Sequence, residues 1–296
     1  MDSSLVGFPT DDENLPMIHK KDKNLKETRS PAVAGHFYPA DLAILSDRVE
    51  SYLGKANGVA GKAFAAIVPH AGFDYSGFCA AQVFARLELP PIVVIMCPNH
   101  TGFCDSPGAS IWARGDFDTP IGPVSVAEDF AAALAEQSRL VADDHSAHRR
   151  EHAIEVELPF IEVLAPDSEI VPLVIAWDDW KYCKELADDL VKLIEEWPED
   201  VLLLASSDMT HFESAERARR KDQLALQAIA NLDGRKLLSV CRREKITMCG
   251  RAPAAIAVEA ARQLGATETK LVDYRNSSWV TGDDSNVVAY AGIIVN

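Results

Sequence analysis

Four short apolar runs frame the chain. Residues 63–68, 92–97, 169–174 and 201–205 are almost wholly apolar, and runs of this length without polar alternation read as strands buried on both faces. Around them, apolar positions recur at helical spacing and predict helices near 41–54, 76–87, 127–137, 179–197, 216–231 and 252–264, with late strands near 269–273 and 287–295. Strands alternating with helices in this way predict an α/β domain, with a central largely parallel or mixed sheet and helices on both faces. Residues 1–29 show no period; with 6 acidic and 5 basic residues and few large apolar ones, they are expected to form a disordered or loosely attached tail. A single domain over residues 30–296 follows, since no later Pro-, Gly- or Ser-rich stretch is long enough for a linker.

Composition narrows the class. At 296 residues, with 48% hydrophobic and 25% charged residues, 16 Gly and 16 Pro, collagen-like, coiled-coil and wholly disordered chains are excluded. No apolar run approaches the roughly 18 residues of a membrane span, so no membrane partner is expected. Acidic residues outnumber basic ones by 45 to 29, a net charge of −16, and such a field repels a phosphate backbone; no nucleic-acid partner is expected. The six cysteines form no C-x-x-C pair, and the N-terminus lacks an apolar signal core. A cytoplasmic protein with reduced thiols is the expectation.

Candidate chemistry gathers where strands stop. The run 63–68 leads into Pro69-His70-Ala71-Gly72, the run 92–97 into Pro98-Asn99-His100-Thr101-Gly102, and the run 201–205 into Ser206-Ser207-Asp208-Met209-Thr210-His211. In open α/β sheets the carboxyl ends of strands face the ligand crevice, so His70, His100, Asp208 and His211 can converge. A single histidine there is an ordinary hydrogen-bonding residue; three beside an aspartate form a candidate metal or catalytic site. Cys249 precedes an apolar helix with Pro253 in its first turn, close to the positive end of the helix dipole. That predicts a lowered thiol pKa and a ligand or nucleophile, against the alternative of an inert buried cysteine. His145 and His148 fall in a charged run expected to be a solvated face. His152 heads an apolar stretch and is placed at the crevice wall as a substrate-binding candidate. Arg251 is available either to grip an anionic substrate group or to close an ion pair at the helix start.

Taken in order, Gly35-His36-Phe37-Tyr38-Pro39, Pro69-His70-Ala71-Gly72 with Tyr75-Ser76-Gly77, Pro98 to Gly102, Thr119-Pro120-Ile121-Gly122, Glu151-His152, Ser207 to His211 and Cys249-Gly250-Arg251 resemble the Memo family over about residues 30–296. The resemblance implies a fold similar to that of the class III extradiol dioxygenases, non-haem iron enzymes. It also implies His70, His100 and Cys249 as metal ligands, with Asp208 and His211 beside them as catalytic groups. Iron is the cofactor it suggests, copper and zinc being the alternatives that a soft thiolate ligand raises. Ring-cleaving extradiol enzymes use two histidines and a carboxylate, so a cysteine in third place separates this chain from ring cleavage itself. The expected function is a metal-dependent redox or oxygenase-like protein acting on a small-molecule or peptide ligand. The alternative is a non-catalytic module that holds a phosphopeptide or metal ion, or a protein partner, in the same crevice. A third reading makes Cys249 the nucleophile of a hydrolase with His211 as its base.

Overall fold

A computed structural model describes residues 27–105 and 108–296. In chain order its strands are β1 (Thr28–Arg29), β2 (Ala65–Val68), β3 (Ile92–Pro98), β4 (Ala109–Ile111), β5 (Asp116–Asp118), β6 (Pro123–Ser125), β7 (Val141–Asp143), β8 (Glu169–Ile175), β9 (Val201–Ser206), β10 (His211–Glu213), β11 (Thr269–Asn276) and β12 (Val287–Val295). Its α-helices are α1 (Leu42–Gly54), α2 (Phe78–Phe84), α3 (Glu128–Gln137), α4 (Leu158–Leu164), α5 (Trp180–Glu196), α6 (Ala215–Ala230), α7 (Gly234–Glu244), α8 (Arg251–Gln263) and α9 (Ser278–Thr281).

The main sheet has the order β10-β12-β2-β9-β3-β8-β4-β7, with β11 on the free side of β12. Its heart, β2-β9-β3-β8, is parallel, and β12 and β4 flank it antiparallel. The sheet is therefore mixed. Every residue of β2 and the first six of β3 are buried, which is why these runs show no alternation: both faces are covered. One layer is α8 laid across β2, β9 and β3, with α5 and α7 packed on it; the other is α2 against β12 and β2, backed by α1 and α4. Alanines 254, 255, 257, 260 and 261 make α8 small-faced and buried from Ala252 to Ala261, so its axis can sit close to the strands it crosses.

The chain departs from the sequence pattern in three places. The helix expected from residue 76 opens with a π turn, Phe73–Gly77, before α2. Gly77 is required there, because a Cβ would lie 2.9 Å from the Tyr52 ring and 3.3 Å from Phe73. Helices α4 and α7 and the three-residue strands β4 to β7 were not foreseen. Three residues are too few to show a period, and in α7 the charged residues outnumber the apolar ones that carry it.

The third departure is the domain boundary. Residues 28 and 29 are not tail: β1 pairs with β5 in a small sheet, β1-β5-β6, and Arg29 is only 2% exposed. Its guanidinium bonds the Glu155 carboxylate and the carbonyls of His148 and Glu151. A buried charge persists only with such partners, and here they lie more than 100 positions away. The rest of the expected tail, residues 1–26, falls outside the described residues. Among the described residues, no helix is long and apolar enough to cross a membrane.

Candidate metal centre

Because β2, β9 and β3 are parallel neighbours, the segments that leave their carboxyl ends meet. His70 follows β2, His100 follows β3, and Asp208 follows β9. Between them comes His152 from the loop ahead of α4. The ring centroids of His70, His100 and His152 are 4.7 to 5.4 Å apart. One ring nitrogen from each lies within 4.8 Å of the others, close enough for a single metal ion.

The other nitrogens explain why the rings point this way. His70 Nδ1 is 2.7 Å from Ser206 Oγ, His100 Nδ1 is 2.9 Å from Glu151 Oε1, and His152 Nδ1 is 3.3 Å from the same oxygen. Nδ1 of His70 and of His100 is thus hydrogen-bonded to an oxygen, and that of His152 lies beside one, leaving Nε2 to present its lone pair inward. Burial, followed by repulsion from the other imidazoles, holds His70 well below the ordinary histidine range. Burial does the same for His152, opposed by the nearby Glu151 charge. Both rings are neutral, the state in which imidazole binds metals.

Glu151 was missed by the sequence reading, yet it organises two of the three rings. It accepts from the backbone N–H of His100 at 2.7 Å, His152 at 2.9 Å and Ala153 at 3.0 Å. Burial opposes its charge, but hydrogen bonding from His100, the two imidazoles and the Ala153 N–H outweigh burial and keep the carboxyl below the usual range. The signal available was an acid next to His152 in a stretch otherwise turning apolar. The same loop corrects the reading of 143–152 as a solvated face. His148 and Glu151 are buried, because residues 145–147 form only one 3-10 turn and the chain then folds beneath Arg29 instead of continuing a helix.

Cys249 enters from the far side. Its Sγ is 3.3 Å from His70 Nε2 and accepts the Asp208 N–H at 3.3 Å. Gly250, the residue before α8, permits this approach, since a Cβ there would lie 2.4 Å from the Ser206 carbonyl and 2.5 Å from Ser207 Cβ. The expected low thiol pKa is overturned. Burial, then the Asp208 charge, push the Cys249 thiol up to about 12, and the hydrogen bonds at the helix start do not compensate. A bound cation would reverse this, since a coordinating thiol gives up its proton. Cys249 Sγ contacts His70 Nε2, and among the described residues no hydrogen bond joins it to His211.

Asp208 and His211 flank the cup separately. Asp208 Oδ1 accepts the backbone N–H of His70 at 2.9 Å and of Ala71 at 3.3 Å, fixing the turn after β2. Burial raises its pKa to about 7, with those two hydrogen bonds pulling it down. The Thr247 carbonyl orients His211, accepting from its Nδ1 at 3.0 Å. Burial lowers the pKa of His211, against hydrogen bonds to the backbone of Thr247 and Met209 that raise it. Arg251 is closed in an ion pair, Nε and Nη2 lying 2.8 and 2.6 Å from Asp178 Oδ2. Beside that pair opens a crevice of about 260 Å³, lined by Asn99, Trp177 and Asp178 and reaching Cys249.

Fold and site together define an α/β protein with a candidate metal centre at the carboxyl ends of its parallel strands. The chain belongs to the Memo family: the family model described as "Memo-like protein" matches residues 29–294. A MEMO1 family protein of Aquifex aeolicus is 38% identical over 267 residues, covering 90% of this chain and 98% of the relative. One from Methanopyrus kandleri is 36% identical, covering 90% and 98%. Among solved structures, an uncharacterized Escherichia coli K12 protein, JW3007, aligns at 12% identity and a TM-score of 0.45, covering 78% of this chain and 98% of its own. So distant a likeness says nothing about the site.

Proposed function

We propose that this chain binds a transition-metal ion through His70, His100 and His152, with Cys249 as a fourth donor on the His70 side, and that it works as a metal-dependent redox protein. The observation that carries the reading is the set of three converging imidazoles, two of them hydrogen-bonded through Nδ1 to Ser206 and Glu151. This ligand set puts His152 with the metal, where the sequence reading had it on substrate. Iron fits such a mixed nitrogen and sulfur site, and copper and zinc are its rivals. Iron or copper, when bound, supplies electron-transfer or oxygen chemistry; zinc supplies Lewis acidity alone.

The chain's own groups have separable tasks. Glu151 and Ser206 hold the rings. Asp208 holds the His70 turn. His211, neutral and oriented by Thr247, can take a proton from a ligand at the rim. Arg251 remains available to an anionic group only if that group displaces Asp178.

The test is elemental analysis of protein purified without oxygen. Stoichiometric iron, copper or zinc is expected in the parent, with sharp loss in His70→Ala, His100→Ala and His152→Ala proteins that keep their fold. Equal metal in the parent and His70→Ala would overturn the ligand set. A second reading, binding without turnover, is favoured by Phe212. This residue is 76% exposed beside His211 and held at φ 59°, a conformation bulky residues rarely adopt without a functional reason. Tight binding of a peptide by metal-free protein would favour that reading.

A further inference from the structure

Behind His70, away from the cup, lies a buried carboxyl group to which nothing above gives a task. Glu157 is fully buried. Its Oε1 is 3.0 Å from Ser206 Oγ, and its Oε2 has no hydrogen-bond partner. Ser206 Oγ also lies 2.7 Å from the Ala153 carbonyl and 2.7 Å from His70 Nδ1. One hydroxyl therefore has three neighbours and a single proton to give.

Counting protons settles how the three can coexist. A carbonyl oxygen only accepts, so the Ser206 proton belongs to Ala153, the nearer of its two oxygen neighbours. The hydroxyl oxygen then has two acceptor positions left. His70 fills one with its Nδ1–H. Glu157 can fill the other only if Oε1 carries a proton. The opposite assignment, Ser206 donating to an ionised Glu157, strands the Ala153 carbonyl and leaves a buried negative charge with no cation beside it, which is the costlier state.

We infer that Glu157 is a neutral carboxylic acid that donates to Ser206, and that the two act as a positioning pair holding His70 in its Nδ1–H tautomer with Nε2 turned to the metal. The inference rests on the metal-binding reading for its consequence but not for its geometry. Burial pushes the Glu157 carboxyl well above the ordinary range, against the pull of its bond to Ser206, in agreement with this assignment. His100 and His152 thus lean on a charged carboxylate while His70 leans on a neutral hydroxyl. The centre gains one buried negative charge behind its rings and not two, which keeps a cup that also contains Asp208 and a metal-bound thiolate from excess negative charge.

Glu157→Gln and Ser206→Ala separate this role from plain packing. Glutamine keeps the shape and a donor for Ser206 but has no ionisable proton. In metal-free protein at neutral pH, the infrared difference spectrum of parent minus Glu157→Gln should contain a protonated-carboxyl C=O band, the contribution of Asp208 cancelling between the two. Nitrogen-15 NMR should find His70 as the Nδ1–H tautomer in the parent and in Glu157→Gln, and as a tautomer mixture in Ser206→Ala. With ferrous ion alone as probe, Glu157→Gln should bind within about threefold of the parent, and Ser206→Ala about 10- to 100-fold more weakly, the usual cost of losing such a partner. A difference spectrum without that band would overturn the neutral acid. An unchanged His70 tautomer in Ser206→Ala would overturn the positioning role. Should the parent bind no metal, the proposed function fails while the band and the tautomer still decide this inference. Should Ser206→Ala not fold, the parent and Glu157→Gln spectra decide it.

Discussion

Glu155 and Glu157 sit two residues apart on the same 3-10 turn, and both are fully buried, yet their surroundings are opposite. Glu155 accepts from the Arg29 guanidinium, the backbone N–H groups of Ala32 and Val33 at 2.7 and 3.0 Å, and the Tyr38 hydroxyl at 2.5 Å. Glu157 has one serine hydroxyl and an oxygen with no partner. Burial alone does not decide the charge of a carboxyl group; the supply of donors does. The first residue is an anchor for the entering chain, clamping the segment from Arg29 to Tyr38 onto the loop that carries Glu151 and His152. The second stands behind His70, bonded to Ser206.

The contrast can be broken from either side. The largest effect is expected from Arg29→Met, which leaves Glu155 charged and unpaired. A loss of about 3–5 kcal/mol in urea unfolding is expected, and Glu155→Gln added to it should recover part of the loss. An Arg29→Met protein as stable as the parent would mean that Glu155 is not held as an anion. Next comes Glu151→Gln, which keeps an amide oxygen for one imidazole but removes the charge; metal affinity measured by competition with a chelator should fall about 10- to 100-fold with the fold intact.

A third effect depends on pH. His148, buried beneath Arg29, has its pKa lowered to about 3, by burial first, against its bond to the Ser110 carbonyl. In the unfolded chain it takes up a proton near 6.5, so the stability it contributes is complete above that pH and is lost as the pH falls from about 6.5 toward 3. The gap in stability between the parent and His148→Asn should shift in favour of the variant across that window, read as urea midpoints at matched pH. A gap constant from pH 7 to 4 would rule this out. The smallest effect belongs to Glu157→Gln, whose neutral side chain should change stability by less than about 1 kcal/mol. A loss comparable with that of Arg29→Met would erase the distinction between the two acids.

These two acids also mark the limit of what the sequence discloses. The parallel heart of the sheet and the residues His70, His100, Asp208, His211 and Cys249 were legible, because apolar runs ending in Pro, Gly and His state both the strand and the place where it stops. Their pairings were not legible. The loop from Asp144 to Glu157 has no period, since its course is set by Arg29 and Ser206, partners 119 and 49 positions distant. Its buried glutamates, Glu151, Glu155 and Glu157, therefore read as ordinary polar positions beside an apolar stretch. The same blindness placed Cys249 by its helix dipole alone, when burial and Asp208 govern its thiol. It also put the domain boundary after Arg29, whose burial only a distant carboxylate explains.

The spacing of partners around the cup carries a kinetic consequence. His70 meets Ser206 across 136 positions and Cys249 across 179, and the β2–β9 pairing that aligns them is parallel and equally long-range. Contacts so far apart in sequence form late, because chain entropy is lost before they repay it. A chain emerging from synthesis will carry His70, His100 and His152 long before β9 docks between β2 and β3. Until then it has three histidines but no cup, so on the proposed function metal capture would mark the completion of folding and give it a timer: ion uptake during refolding should lag the formation of helix.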